Sequence, residues 1–347
     1  MIVTKKETAA YFQKKKILIT GGLGFLGSNL AHALTDIGSC VTLLDPLFPE
    51  YGGNRFNVSE IEDRVGVIVE DIRNEKLMES LVQEHEIIFH IAGQTSHIDS
   101  LKDPFLDLDI NCRGSLLLLE AVRKFNPKAK IIYAGTRAQY GKILRSPITE
   151  QNYMQPVDIY GVNKQAGEGY LWVYRDVHGL SCVSLRINNT YGPRHQMKQA
   201  NYGILNWFIR LAVEGKPITI YGDGSQLRDY NYVDDVTEAF LLAGAAPEAV
   251  GEAFNLGSGH PVPFYLMAET IVKIVGKGEL QKVPWPEDRK KIEVGSYVAD
   301  FSKFSKTTGW EPRITLEDGI AQTVTFYEKY KEHYWEQRIQ NNDMSLS

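Results

Sequence analysis

The chain has 347 residues, 43% hydrophobic and 23% charged, with Lys+Arg 38 against Asp+Glu 43 and a net charge of -5. That length accommodates one large α/β unit and a smaller lobe, each with its own core, and the slightly acidic balance excludes a broad nucleic-acid surface. No stretch approaches the roughly 20 apolar residues of a membrane span. The polar, lysine-containing start lacks the apolar segment of a secretory signal, and Cys40, Cys112 and Cys182 lack metal-ligand spacing and read as buried reduced thiols. The expectation is a soluble, cytoplasmic protein without a metal or membrane partner.

Apolar runs predict strands near 17–20, 40–45, 65–69, 87–91, 129–134 and 181–187, and helical periodicity predicts helices near 25–37, 75–85, 107–126 and 159–178. Strands and helices that alternate in this way imply an α/β fold, a doubly wound parallel sheet covered on both faces. From about 188 the rhythm changes. Loops become longer and richer in Gly, Pro and charge, with short strands near 218–221 and 253–256 and helices near 202–214, 234–245, 263–275 and 316–335. The domains expected are 1–187 for the sheet, with segments near 230–257 returning to it, 188–335 for a smaller C-terminal lobe, and 336–347 for a polar tail.

The first strand runs into Thr20-Gly21-Gly22-Leu23-Gly24-Phe25-Leu26-Gly27, and a helix pattern follows. Strand, glycine turn and helix are the context of a Rossmann-type dinucleotide site. Side chains in such a turn would keep a pyrophosphate from the backbone, and the helix N-terminus offers free N–H groups and a positive dipole end. Asp45, 18 residues after Gly27, ends the second strand. Its carboxylate can accept both ribose hydroxyls and would repel a 2′-phosphate, which favours NAD over NADP.

Tyr160 and Lys164 lie four residues apart at the start of the helix near 159–178, so they share one face. A nearby ammonium and a nicotinamide cation would lower the phenol pKa and make Tyr160 a base near neutral pH. The spacing is common among surface pairs and gains weight from its place after the fifth strand. That strand ends at Thr136, where ligands meet an open parallel sheet. Its hydroxyl can bond a substrate oxygen that changes charge, although a threonine there also serves as a cap.

With these residues in place, the chain resembles the extended short-chain dehydrogenases/reductases, specifically the nucleotide-sugar epimerase/dehydratase group, from about Lys16 to Tyr330. The resemblance implies NAD held by Gly21, Gly24, Phe25, Leu26, Gly27 and Asp45, with Asp71 and Ile72 beside the adenine. It places Ala92 and Gly93, within His90-Ile91-Ala92-Gly93, and Asn111 by the cofactor, and gives Thr136, Tyr160 and Lys164 the catalytic positions. Pro193 falls in the segment that orients nicotinamide. On the substrate side it implies Asn189 against the sugar or diphosphate and Arg228, in Tyr221-Gly222-Asp223-Gly224-Ser225-Gln226-Leu227-Arg228, on the diphosphate. Arg289 matches a second such arginine among departing neighbours. Arg194 reads equally as a substrate contact or a solvated loop side chain. A homodimer is implied, with the helices near 107–126 and 159–178 paired in a four-helix bundle. Burial of Leu116-Leu117-Leu118-Leu119 against the chain's own sheet fits the pattern as well.

In this group Tyr160 would take the proton from a sugar hydroxyl while hydride passes to NAD. A 4,6-dehydratase carries an Asp-Glu pair directly after the catalytic threonine, and this chain has Arg137-Ala138. That departure argues against dehydration and, less firmly, against decarboxylation. The resulting expectation is a 4-epimerase acting on a UDP-hexose or UDP-hexuronate. The alternatives are another nucleotide-sugar modification, such as decarboxylation or keto-sugar reduction, and a non-catalytic NAD-binding protein. Arg137 and Arg194 could favour a carboxylated sugar. Loops near 95–101, 194–204 and 260–300 are expected to shape the sugar pocket.

Overall fold

The computed structural model describes residues 4–48 and 51–335. The polar tail 336–347 lies outside the described residues. Six strands follow the predicted runs: β1 (Lys16–Thr20), β2 (Cys40–Leu44), β3 (Val65–Ile68), β4 (Ile87–His90), β5 (Lys130–Thr136) and β6 (Ser181–Ile187). They form one parallel sheet in the order β6-β5-β4-β1-β2-β3, and Ala253–Asn255 adds a seventh strand beside β6. The order reverses between β1 and β4, so a crevice opens there at the carboxyl ends of the strands.

Side chains alternate between the two faces, as a pleated strand requires. Ile17 and Ile19, Ile87 and Phe89, and Ile132 and Ala134 enter one core with the helices Phe25–Ile37 and Val233–Ala245. Leu18, Ile88, Ile131 and Tyr133 enter the other, under Glu75–Glu84, Gly114–Phe125 and Ile159–His178. A third core, built on Leu205, Phe208, Ile209, Met267, Ile271 and Tyr327, fills the C-terminal lobe.

Three features depart from the sequence reading. The helix expected over 107–126 starts at Pro104, which Asp103 caps, and is interrupted by a π turn over Asp109–Arg113. The wider turn brings Asn111 inward, where its Nδ2 donates to Gln94 O at 2.9 Å and Asp107 Oδ1 at 3.1 Å. Lys5–Phe12 is helical although its apolar content is low. A reciprocal cap between Thr4 and Glu7 starts it, and Phe12 anchors it in the sheet's core. Cys40, at the edge of β2, is exposed, whereas Cys112 and Cys182 are buried as expected.

Among the described residues, no helix is long and apolar enough to cross a membrane.

Candidate active site

The crevice is the mouth of a cavity that runs from the glycine turn to the C-terminal lobe. Gly21 has φ 72, and a Cβ there would stand 2.8 Å from Ala92 N at the end of β4. A Cβ on Gly27 would run into the Gly21 carbonyl. Both positions therefore need glycine for the turn to close and the helix to approach it. Gly24 caps the helix Phe25–Ile37 without a side-chain bond, so its first N–H groups open on the cavity.

Asp45 lines the next part of the cavity. Its Oδ2 accepts from Leu23 N at 3.1 Å and its Oδ1 from Leu47 N at 2.9 Å. Burial pushes its carboxyl up, and these amides pull it back. Asp71 and Ile72 line the same end. Burial raises Asp71 too, but Arg73, bonded at 2.7 and 2.9 Å, outweighs it and holds the carboxyl low.

Toward the centre lie Ala92, Gly93, Thr136, Tyr160 and Lys164. Asn111 stands behind Gly93. Its buried Oδ1 has no hydrogen-bond partner among the described residues, and a Cβ on Gly93 would meet it at 2.7 Å and Lys164 Nζ at 3.9 Å. Thr136 is both the end of β5 and the cap of the turn Arg137–Tyr140, accepting from Ala138 N at 3.2 Å. Asp158 caps the helix that carries Tyr160 and Lys164, accepting from Gly161 N at 2.8 Å. Its other oxygen meets His97 Nδ1 at 2.5 Å, and the His97 ring stands edge-on to Tyr160 with centroids 5.3 Å apart.

The electrostatics of the protein by itself hold the phenol protonated. Burial pushes the Tyr160 phenol up to about 12, and the Thr136 hydroxyl and Arg137 oppose it. Burial likewise pushes Lys164 down to about 8, with Asp107 opposing, and its Nζ lies 4.1 Å from the centroid of the Tyr133 ring. In the protein alone, desolvation outweighs the cations around the phenol.

Residues 17–257 match the NAD dependent epimerase/dehydratase family. The chain belongs to this family. Over 315 residues it is 32% identical to a UDP-glucose 4-epimerase of Mycolicibacterium smegmatis, covering 90% of this chain and 98% of that one. It is 30% identical to UDP-glucuronic acid decarboxylase 1 of Xenopus tropicalis, over 92% of this chain and 74% of that one. Among solved structures it is similar to the UDP-glucose 4-epimerase of Thermotoga maritima with UDP-glucose, at TM-score 0.84 and 32% identity over 91% and 100% of the chains. It is also similar to that of Thermus thermophilus with NAD, at 0.81 and 32% over 90% and 99%. The cofactor of this epimerase/dehydratase family member is NAD. The glycine cradle, the open helix terminus and the unpaired Asn111 Oδ1 fit it.

The substrate side holds the larger differences from the sequence reading. Asn189 lines the cavity, but Arg194, Arg228 and Arg289 are not among its lining residues. Arg194 has φ 70 and points back, donating to Asn29 Oδ1 at 2.9 Å and lying 3.7 Å from Glu60. Arg228 pairs with Glu293 at 2.5 Å and donates to Gly295 O at 2.7 Å. Arg289 sits in the short helix Glu287–Lys291. Of the loops expected to shape the pocket, the first two contribute Thr95, His97, His195, Gln196, Tyr202, Gly203 and Ile204, and 260–300 contributes none. The sequence reading did not single out His97 within the loop 95–101, or Tyr230. The first follows β4 at the distance of one loop, and the second stands two residues past Arg228, where only its pairing with Asn189 gives it a position.

Proposed function

We propose that this enzyme inverts C4 of a UDP-linked hexose or hexuronate through a transient 4-keto sugar. The observation that carries the reading is where the carboxylates stand. Among the described lining residues the acids are Asp45, Glu70 and Asp71, all at the end of the cavity formed by β2 and β3. The turn after Thr136 offers Arg137 and Ala138, so no carboxylate stands there to strip a C5 proton or expel water from C6.

Gly21, Gly24, Phe25 and Leu26 would hold the NAD pyrophosphate, with Gly27 closing the turn behind them. Asp45 would hold the adenosine ribose, Asp71 and Ile72 the adenine, and Ala92, Gly93, Asn111 and Lys164 the nicotinamide half. Bound NAD supplies a reversible hydride acceptor, and a positive ring that brings Tyr160 closer to neutral pH. Thr136 holds the sugar O4, and Tyr160 takes its proton and returns it after the keto sugar has turned its other face. Nothing in this cycle consumes NAD.

The unpaired cysteines suit a reducing cytoplasm. A second copy of the chain suits the exposed apolar side chains Phe105, Val162, Val173 and Val177 on the helices 104–108 and 159–178.

The test is proton NMR of the NAD-loaded protein with UDP-glucose, UDP-N-acetylglucosamine and UDP-glucuronate. The expected result is a growing anomeric signal of one C4 epimer without net NADH. Tyr160→Phe should keep fold and NAD binding and lose turnover by about 1,000-fold. No epimer from any sugar, or full turnover by Tyr160→Phe, would overturn the reading.

A further inference from the structure

Arg137 is a half-buried cation on the cavity wall without an ion pair among the described residues. Its Nε donates to Asn189 Oδ1 at 3.0 Å, and its guanidinium lies 5.5 Å from the centroid of the buried Tyr297 ring. Both contacts orient the fork and neither neutralises it. The carboxylate acting on it is Glu293, which Arg228 already holds at 2.5 Å. Two guanidiniums thus share one carboxylate, and burial together with Arg228 lowers the Arg137 pKa.

The neighbouring strand adds an unsatisfied hydroxyl. Tyr230 is paired in register with Asn189, so it stands beside the residue that orients Arg137. Tyr230 is 6% exposed and lines the cavity, and its hydroxyl has no hydrogen-bond partner among the described residues. The buried phenol O–H carries an uncompensated desolvation cost, and a charged fork without an ion pair among the described residues faces the same space. An anion accepting from both would offset it with short, charge-assisted bonds.

We propose that Arg137 and Tyr230 form a carboxylate subsite that selects nucleotide sugars with a carboxyl group on C5, the nucleotide hexuronates. A nucleotide sugar has two places for negative charge, the diphosphate on C1 and a carboxylate on C5. Arg137 adjoins Thr136 in the chain and its charge acts on the Tyr160 phenol, so it stands by the reacting C4 oxygen. The C5 substituent is the neighbour of C4, and the diphosphate is across the ring. The assignment rests on the C4 reading only for the orientation of the sugar.

The experiment measures binding, not turnover, so it stands apart from the fate of the keto sugar. Titration calorimetry of the NAD-loaded protein would compare UDP-glucuronate with UDP-glucose, using wild type, Arg137→Gln, Arg137→Lys and Tyr230→Phe. Wild type should bind UDP-glucuronate about 10- to 100-fold more tightly, the range of one charge-assisted fork. Arg137→Gln should erase that preference, Arg137→Lys should retain part of it, and Tyr230→Phe should reduce it. Melting curves and NAD titration check that the variants fold. Equal wild-type affinities, no binding of either sugar, or an equal loss for both sugars in Arg137→Gln would overturn the subsite. Selective binding of UDP-glucuronate without a C4 epimer would leave it standing and refute the C4 reading alone.

Discussion

Lys164 shows most directly what burying a proposed catalytic side chain costs the fold. Its pKa falls from 10.5 to about 8 because burial penalises the ammonium. Between those values the unfolded chain binds more protons than the folded one, so this group's penalty is complete below pH 8 and disappears as pH rises toward 10.5. A shift of that size corresponds to on the order of 3 kcal/mol. Lys164→Met should therefore raise stability at pH 7 by about 1–3 kcal/mol while abolishing turnover, and the gain should shrink above pH 8. Urea unfolding of both proteins from pH 6 to 10 checks this. Lys130, also lowered to about 8 by burial, is common to both and cancels in the difference. A gain that stays constant with pH would refute the assignment.

At the scale of elements, the glycine turn and its helix form one device. The αL residue Gly38 ends the helix Phe25–Ile37, and Gly24 starts it without a capping side chain. The approach of Gly27 to the Gly21 carbonyl fixes the helix axis on the cavity. Gly27→Ala should displace that axis and weaken NAD binding at least about tenfold, with a smaller loss of stability. A fluorescence titration with NAD decides it, and unchanged affinity would show that the helix terminus does not carry the pyrophosphate. The π turn at Asp109–Arg113 is the other such device, since it directs Asn111 toward Gly93 and Lys164. Periodicity read the whole segment as one helix because a single wide turn barely disturbs the spacing of its apolar residues.

At the scale of the molecule, the two parts are interlocked more closely than a boundary at 187 suggests. Ala253–Asn255 extends the sheet from within the segments near 230–257 expected to return to it, and Phe304 and Trp310 join the first core from a segment expected in the smaller lobe. Asn57 donates to Arg194 O at 3.0 Å, and Tyr334 donates to Asn57 Oδ1 at 2.7 Å. Exposed apolar side chains on the helices 104–108 and 159–178 include Phe105 at 78% and Val177 at 67%. Light scattering should give twice the 39.2 kDa of the chain. Phe105→Glu with Val173→Glu should return it to the single mass, since burying two charges in an apolar interface is prohibitive. An unchanged dimer would place the interface elsewhere.

The six sheet strands, the glycine turn and the places of Asp45, Thr136, Tyr160 and Lys164 on the cavity were legible in the sequence because each depends on local spacing. Period-two and helical apolar patterns, a glycine for an αL turn, and an i, i+4 pair are properties of a few neighbouring residues. The arginines were not. Arg194, Arg228 and Arg137 look alike in a chain, and only tertiary structure gives the first to Asn29, the second to Glu293, and leaves the third facing the cavity without an ion pair among the described residues. The same is true of protonation. Sequence places Lys164 near Tyr160, but burial sets their charge balance, because desolvation depends on everything packed around a group and not on its neighbours in the chain.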